Sequence, residues 1–284
     1  METKRRLIVK IGYGTYGMKT EDVFELLPRL RTIGYEAVEI NVSEDWPTAP
    51  EKLTLGNRVK IVESLKAAEF PSPVLMCPLK VCVQGDDRPS MLRQFNEACK
   101  LANDLNYGDG PGIVVSVIGG TKGTWDEAKE LICECLTEVA DRAAENNAIF
   151  AVEPHVGHIF DTPEKAVWVM EQTNHDHLKL NFDISHFHVD GIDLQHSIDL
   201  CVPHSVATHI KDGRRVDGKV QFLLPGEGDL DLVGFFKGCA AAGLDVPVTV
   251  EVSAQIFRRE GYEPWGAAEV CFKALEKARD EAGV

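Results

Sequence analysis

The chain has 284 residues, of which 44% are hydrophobic and 26% charged, a composition typical of a globular protein and not of a disordered or fibrous one. Its 30 basic and 45 acidic residues give a net charge of −15, and this negative field opposes a broad nucleic-acid-binding surface. A small, neutral or metal-bridged ligand is easier to accommodate. We therefore expect no nucleic-acid partner.

The cysteines and the N-terminus indicate the compartment. Eight cysteines are scattered along the chain without a C-x-x-C pair, and a chain of this length can bury a core without disulfides. Lys4, Arg5 and Arg6 precede only a short run, Leu7–Ile11, which Lys10 interrupts, so no signal-peptide core follows the positive charges. No apolar stretch approaches the roughly 20 residues that span a bilayer. We expect a soluble cytoplasmic protein with buried thiols and no membrane partner.

Short β-rich runs alternate with longer helical patterns from one end of the chain to the other, which is typical of βα units and a parallel sheet. In the helical stretches, such as Val23 to Ile33 and Leu131 to Val139, apolar residues are spaced by three or four positions. Helix starts are indicated by capping residues at Thr20, Thr124 and Thr162.

Eight strands are predicted, and no linker or shift of composition divides them. This number of βα units over this length predicts one domain, residues 1–284, folded as a (β/α)8 TIM barrel. The predicted strands are Leu7–Ile11, Ala37–Asn41, Val74–Cys77, Ile113–Val117, Ile149–Glu153, Leu178–Asp183, Val206–Ile210 and Val248–Glu251.

A glycine motif follows the first predicted strand. The segment from Gly12 to Gly17 reads G-x-G-x-x-G, and Glu36 or Glu39 stands at about the distance of a ribose-binding acid. A dinucleotide-binding fingerprint requires the helix to begin inside the motif, whereas the cap signal comes later, at Thr20. We therefore interpret the segment as a flexible first loop above the barrel, with its two tyrosines as walls of a pocket.

Each of the last four predicted strands, unlike the first four, ends in a potential metal ligand. Successive side chains of a strand point to opposite faces, so these side chains point into the barrel if their apolar neighbours face the helices. The C-terminal ends of the strands converge at the barrel mouth. Three buried carboxylates without a cation would repel one another and protonate, so we predict one divalent metal ion. The oxygen-rich set favours Mn²⁺ or Mg²⁺, with Co²⁺ or Zn²⁺ as alternatives. The four residues are Glu153, Asp183, His209 and Glu251.

The C-terminal half carries five motifs that together resemble the sugar phosphate isomerase/epimerase family. Members of this family are xylose-isomerase-like TIM barrels, among them D-tagatose 3-epimerase and inosose dehydratase. The N-terminal half agrees only in its βα rhythm. The motifs are Glu153-Pro154-His155 with Thr162-Pro163-Glu164 after it, the run from Asn181 to Phe187, His209-Ile210-Lys211-Asp212, the run from Pro225 to Asp229, and Val250-Glu251.

The resemblance implies that the four strand-end residues bind the metal and that Glu153 and Glu251 also form an acid/base pair. It further implies that His186 and Arg215 hold substrate oxygens. A metal that chelates the carbonyl and adjacent hydroxyl of a keto sugar acidifies the C–H bond between them and stabilises a metal-bound enediolate. Two carboxylates can then remove and return the proton. The expected function is a metal-dependent isomerase or epimerase of a keto sugar or sugar derivative, with a small carbohydrate as its partner.

Three further residues are candidate substrate contacts with structural alternatives. His155 stands two residues after Glu153 and faces the same side at the barrel mouth. It could contact the substrate or form a hydrogen bond that orients the loop, and the sequence is equally compatible with both. For Lys211 a substrate contact is slightly favoured over a salt bridge with Asp212. Glu227 is a candidate because related isomerases place an acid of this loop near the site, and its structural alternative is a cap of the helix predicted at Leu232–Ala242.

Other functions stay open at this stage. A lyase would use the same C–H removal and then expel a β-substituent, as in an inosose dehydratase or a 3-keto-glycoside eliminase. Phosphodiester hydrolysis like that of endonuclease IV would need more histidine ligands and a basic surface, which the charge disfavours. A barrel that binds sugars without catalysis is disfavoured by the intact acid/base pair. The sequence does not decide whether the substrate carries a phosphate, and it is compatible with a homo-oligomer.

Overall fold

In the computed structural model, which describes residues 9–284, eight parallel strands close into a barrel. The predicted (β/α)8 fold is thereby confirmed. The three basic residues Lys4, Arg5 and Arg6, and the first two residues of the first predicted strand, lie outside the described part of the chain. The barrel strands are β1 (Ile11–Gly14), β2 (Ala37–Asn41), β3 (Val74–Met76), β4 (Gly112–Val117), β5 (Ala148–Glu153), β6 (Leu178–Asp183), β7 (Ser205–Ile210) and β10 (Val248–Val250).

Two further strands form an antiparallel hairpin outside the barrel wall, which the sequence pattern did not predict. They are β8 (Asp212–Val216) and β9 (Lys219–Leu223). Around the barrel the strands follow the order β1, β10, β7, β6, β5, β4, β3, β2 and back to β1. The four strands with predicted metal ligands are therefore consecutive neighbours, β5, β6, β7 and β10.

Helices follow the strands along the chain. Short 3-10 turns at Thr15–Met18, Pro50–Lys52, Gly85–Asp87 and Val202–His204 complete the connections. The helices are α1 (Val23–Ile33), α2 (Leu55–Ala67), α3 (Arg88–Leu105), α4 (Trp125–Glu145), α5 (Pro163–Thr173), α6 (Ile184–Val189), α7 (Leu194–Cys201), α8 (Leu232–Ala242), α9 (Ala254–Phe257) and α10 (Pro264–Ala282).

The predicted helix caps are right at two positions and wrong at one. Thr124 forms a capping box with Glu127 at the start of α4, and the Thr162 side chain accepts a hydrogen bond from Lys165 N at the start of α5. Helix α1 begins later than expected, because Asp22 and not Thr20 accepts a hydrogen bond from the first turn, at Phe24 N.

The glycine motif is not a loop, contrary to our expectation. Its first three residues are part of β1, and the rest form a 3-10 turn five residues before α1 begins. Tyr13 is fully buried and packs on Tyr35 with ring centroids 4.9 Å apart, while Tyr16 stacks on Trp46 at 5.3 Å. Because the backbone of Ile11–Gly14 is used for pairing with β2 and β10, it cannot form the phosphate-binding turn of a dinucleotide site.

The core lies between the barrel wall and the helices, as the apolar faces of both require. A separate small cluster of Val115, Ala151 and Ala207 fills the barrel interior below the mouth. All eight cysteines are free thiols, and seven of them are buried. Among residues 9–284, no helix is both long and apolar enough to cross a membrane.

Candidate active site

The four predicted metal ligands lie together at the C-terminal end of the barrel. Glu153 and Asp183 are the last residues of β5 and β6, His209 is the next-to-last residue of β7, and Glu251 directly follows β10. Asp183 and His209 are register partners across the β6–β7 pair. Each of the four offers one ligand atom, and these atoms all lie within 4.8 Å of one another. The strand ends thus bring the predicted set to one point.

Glu153 has the most hydrogen-bond donors of the four. Its Oε2 is 2.6 Å from Asn181 Nδ2 and 2.9 Å from His209 Nδ1, and its Oε1 is 3.0 Å from His186 Nε2. Burial alone would raise the pKa of this carboxyl, but the hydrogen bonds from His186 and His209 hold it well below its ordinary value. Glu153 is therefore ionised while only 3% exposed.

Lys211 supplies a positive charge inside the cluster. Its ammonium group donates hydrogen bonds to Asp183 Oδ2 and to Glu251 Oε2, and it is only 2% exposed. Burial would lower the pKa of this amine, yet the two carboxylates raise it above its ordinary value. Burial likewise opposes ionisation of Asp183, but the Lys211 charge lowers the pKa of Asp183 below its usual range. The predicted alternative, a salt bridge of Lys211 with Asp212, is not formed, since Asp212 instead accepts hydrogen bonds from backbone amides.

His209 lies between two glutamates. Its Nδ1 faces Glu153, and its Nε2 is 2.8 Å from Oε2 of Glu39, a residue of β2 that is 2% exposed. Burial favours the neutral ring, but the Glu39 charge and the hydrogen bonds raise the pKa of His209 well above its ordinary value. Glu39 is a site residue that the pattern of strand ends did not reveal.

His186 reaches the cluster from α6, a helix of six residues that follows β6 without a loop. The Asp183 side chain caps this helix by accepting a hydrogen bond from Ser185 N at 2.9 Å. His186 Nε2 is 3.3 Å from Asp183 Oδ2 as well as close to Glu153. The His155 ring stacks on His186 with centroids 3.8 Å apart, and its Nδ1 lies 2.6 Å from the Val156 carbonyl oxygen. Burial and the nearby His186 lower the pKa of His155 to about 3.

The structure does not bring two predicted substrate contacts to this cluster. The Arg215 guanidinium, on β8, donates to the carbonyl oxygens of Val189 at 3.0 Å and Gly218 at 2.8 Å and pairs with Asp190. Glu227 is exposed, and its carboxylate accepts a hydrogen bond from Leu224 N at 3.2 Å. The cap of α8 is Asp231, which excludes the alternative of a helix cap for Glu227. The substrate roles of both residues remain predictions.

The hairpin contributes an apolar contact that sequence reasoning did not find. Phe222 of β9 packs edge-on against His186 with centroids 5.3 Å apart, and the Lys211 ammonium lies 5.1 Å from the centre of its ring. An aromatic face beside an ammonium group stabilises the positive charge while excluding water. The hairpin thereby covers one side of the site.

The donor set fits a divalent cation. Three carboxylates and one imidazole are hard oxygen and nitrogen ligands of the kind that Mn²⁺ and Mg²⁺ bind, and all four residues are at most 8% exposed. A buried group of three carboxylates requires positive charge nearby to stay ionised. Lys211 and His209 provide part of that charge, and a cation held by the four residues would add to it.

The fold and this cluster define a TIM barrel with a candidate cation site at its C-terminal mouth. Residues 27–270 match the family model described as "Xylose isomerase-like TIM barrel", which covers most of the chain. The chain belongs to this family.

Two curated relatives share detectable sequence similarity with the chain. An inosose dehydratase of Geobacillus thermodenitrificans (strain NG80-2) is 27% identical over 146 residues, 46% of this chain and 48% of the relative. The match thus spans about half of that relative. The L-ribulose-5-phosphate 3-epimerase UlaE of Escherichia coli O157:H7 is 25% identical over 243 residues, 80% of this chain and 81% of the relative.

Two solved structures illustrate how widely this fold is shared. The D-psicose 3-epimerase of Clostridium cellulolyticum H10, solved with D-tagatose, has a TM-score of 0.76 at 14% identity, over 96% of this chain and 99% of that one. A xylose isomerase-like TIM barrel protein of Mycobacterium smegmatis, in complex with magnesium, has a TM-score of 0.69 at 16% identity, over 96% and 98%. At these identities the similarity demonstrates the shared fold.

Proposed function

We propose that the protein is a divalent-metal-dependent isomerase or epimerase that removes a proton next to the carbonyl of a keto sugar or sugar derivative, through an enediolate. One observation carries the proposal. Glu153 and Glu251, from strands that β6 and β7 separate in the barrel wall, lie 2.9 Å and 3.9 Å from the same atom, His209 Nδ1. Two carboxylates therefore approach one point from different parts of the wall, as removal and return of a proton require.

The protein's own residues have separate roles in this scheme. Glu153, Asp183, His209 and Glu251 would hold the cation, which we propose to be Mn²⁺ or Mg²⁺ and which would polarise the carbonyl and stabilise negative charge on the adjacent oxygens. One of the pair, Glu153 or Glu251, takes the proton from the carbon as a carboxylate, and the other, protonated before the step, gives its own proton to the opposite face. His186 and Lys211 donate hydrogen bonds to substrate oxygens. Their donor groups already lie within hydrogen-bond distance of the carboxylates, so a substrate placed between the two glutamates is within their reach.

The remaining predicted substrate contacts, His155, Arg215 and Glu227, lie farther from the carboxylates or point to other partners. His155 stacks on His186 and supports its orientation. Arg215 and Glu227 lie on the hairpin and on the turn after it, so a substrate contact by either would require movement of these segments.

We propose a cytoplasmic location for the protein, which its eight free thiols support.

The second candidate function is a lyase, favoured by the similarity to inosose dehydratase over 146 residues. A lyase would use the same proton removal, after which a β-substituent leaves. The products distinguish the two reactions, because isomerisation conserves mass whereas elimination forms an enone that absorbs in the ultraviolet.

The cation is tested first. Protein purified without chelator should contain about one divalent ion per chain, and EDTA should lower its melting temperature because the folded state loses a bound ligand. Asp183→Asn and His209→Ala should each weaken binding, whereas Glu36→Gln, outside the barrel interior beside Arg279, should not. A protein whose melting responds to neither EDTA nor Mn²⁺ would overturn the proposal.

The reaction is tested by a screen. Keto sugars, with and without phosphate, and 3-keto glycosides are incubated with the metal-loaded enzyme in D₂O and followed by NMR, with Asp183→Asn as the matched control. We expect an epimer or isomer of at least one sugar with deuterium at the carbon next to the carbonyl. An enone product would instead establish the lyase.

A further inference from the structure

Glu39 contacts the candidate cation site from a strand that contributes none of the four ligands. It is the middle residue of β2, and β1 and β10 separate β2 from β7 in the barrel wall. Glu39 Oε2 nevertheless lies 2.8 Å from His209 Nε2, and both side chains are at most 2% exposed. The contact therefore crosses the barrel interior.

The glycine at the end of β1 provides the space for this contact. Gly14 is the register partner of Glu39, and a Cβ at Gly14 would lie 3.2 Å from Glu39 Oε1 and 3.0 Å from the Val250 carbonyl oxygen. Contacts this short would displace the carboxylate or the strand. This gives a structural reason for one glycine of the motif that matched the dinucleotide fingerprint.

The two ring nitrogens of His209 have different neighbours. Nε2 faces Glu39, whose carboxylate accepts a hydrogen bond, so Nε2 carries a proton. Nδ1 faces the cluster, 2.9 Å from Glu153 Oε2 and 3.0 Å from Asn181 Nδ2. A histidine that binds a metal through one nitrogen usually donates the other N–H to a carboxylate or carbonyl, which fixes the ring orientation and the tautomer.

We propose that Glu39 is a positioning residue of the cation site, which holds His209 with Nδ1 directed at the three carboxylates. The inference rests on the proposed cation site. Glu39 does not bind the cation itself in this scheme; it acts through His209.

A purely structural ion pair is the competing interpretation, and the surroundings of Glu39 disfavour it. Within residues 9–284, Glu39 Oε1 has no hydrogen-bond partner although it is buried. An unpaired buried carboxylate oxygen costs stability. A β-branched apolar residue at this strand position would avoid that cost, so stability alone does not account for a glutamate here.

The test compares cation binding by the wild type with that of Glu39→Gln and Glu39→Leu, using Glu36→Gln as a matched control. Mn²⁺ affinity is measured by calorimetry, the visible spectrum of the Co²⁺-loaded protein reports the ligand field, and denaturant unfolding is measured in EDTA. Glu39→Leu should weaken Mn²⁺ binding by about 10- to 100-fold and change the Co²⁺ spectrum. Glu39→Gln keeps an oxygen that accepts from Nε2–H and should restore part of the affinity.

The outcomes separate this inference from the proposed function. If the wild type binds neither Mn²⁺ nor Co²⁺, both are overturned. Wild-type binding with unchanged affinity and an unchanged Co²⁺ spectrum in the Glu39 variants overturns only the positioning role, whatever the stability in EDTA. Should Glu39→Leu fail to fold, the isosteric Glu39→Gln decides the matter, because an intact affinity and spectrum there would exclude a role of the charged carboxylate.

Discussion

His186 Nε2 lies 3.0 Å from Glu153 Oε1, although one residue belongs to a short helix after β6 and the other ends β5. The same nitrogen is 3.3 Å from Lys211 Nζ. His186 therefore connects the proposed base to the buried ammonium group. A side chain in this position can orient a substrate oxygen without being a metal ligand.

Replacing His186 by Ala should reduce kcat/KM by about 10²-fold, because the substrate would be held less accurately against the two carboxylates. Metal content at saturating Mn²⁺ should stay near one ion per chain. His188→Ala is the matched control, since this histidine lies on the same helix but its Nε2 is 2.7 Å from the exposed Asp229. Kinetics with the sugar found in the screen and metal analysis of both variants test the assignment. Loss of the metal from His186→Ala would contradict it.

Replacing Lys211 by Met should destabilise the cation-free protein by about 3–5 kcal/mol, because Asp183 and Glu251 would lose their buried partner. Denaturant unfolding in EDTA at pH 7 measures this free energy. The Lys211 charge lowers the pKa of Asp183, so this stabilisation is present above the unfolded pKa and is lost as pH falls through the folded pKa. The difference in free energy of unfolding between the wild type and Lys211→Met should therefore become smaller as the pH falls.

Added Mn²⁺ should restore part of the stability of Lys211→Met, because a bound cation replaces the missing positive charge. Lys219→Met, on the exposed side of the hairpin, is the control and should change stability by less than about 0.5 kcal/mol. Equal stability of Lys211→Met and wild type in EDTA would show that the ammonium does not balance these carboxylates.

The strand and helix pattern could be predicted because most elements bury one face. Strands Ala37–Asn41 and Leu178–Asp183 and helix Leu232–Ala242 have the predicted bounds, since apolar periodicity and capping residues define them locally. Helix α6 was missed because six residues are too few to show a helical period. The hairpin was missed although Asp217 and Gly218, with φ of 50° and 75°, form its turn, because the flanking residues are mostly polar.

The candidate ligands were predictable because parallel strands end at the same edge, so a search of strand ends finds them. Glu39 stands in the middle of its strand, with Val38 and Ile40 on either side. The alternation of the strand indicated that the Glu39 side chain points into the barrel. Its partner His209, however, is 170 positions away in sequence, and only closure of the barrel brings the two together. The direction of Arg215 depends likewise on the hairpin, whose Asp217-Gly218 turn was not recognised among mostly polar flanking residues.

Cys135 should titrate near neutral pH, unlike its neighbour on α4. A hydrogen bond from the Cys82 thiol and the charge of Arg88 lower the pKa of Cys135 to about 7, whereas burial raises the pKa of Cys133 to about 11. The ultraviolet absorbance of thiolate is measured against pH for the wild type and for Cys135→Ser. The difference between the two proteins should rise with a midpoint near pH 7. The difference between the wild type and Cys133→Ser should be absent below pH 9.

The sign of the stability change follows from the lowered pKa of Cys135. Its thiolate should stabilise the fold above the ordinary pKa of 9 and lose this effect as pH falls through about 7. The difference in free energy of unfolding between wild type and Cys135→Ser should therefore grow from pH 6 to pH 9. A pH-independent difference would contradict a thiolate held by Cys82 and Arg88.

Glu153→Gln and Glu251→Gln test the acid/base pair directly. Each substitution keeps the side-chain volume and one oxygen but removes the base, so turnover should fall by at least about 10²- to 10⁴-fold. With metal still bound, one variant should exchange the substrate proton with D₂O on a single face without completing epimerisation. NMR of the recovered substrate and product, together with metal analysis, measures both effects.

Two results would refute this mechanism. Near-normal turnover in both Gln variants would exclude the two carboxylates as acid and base. Wild-type turnover without solvent deuterium in the product would indicate direct hydride transfer, provided that substrate labelled with deuterium at the reacting carbon excludes internal return of the same proton. Because Glu153 is only 3% exposed and Glu251 8%, such shielded return is a real alternative. The labelled substrate distinguishes the two, since a carboxylate that recycles its proton still loses some label to solvent over many turnovers, whereas hydride transfer loses none.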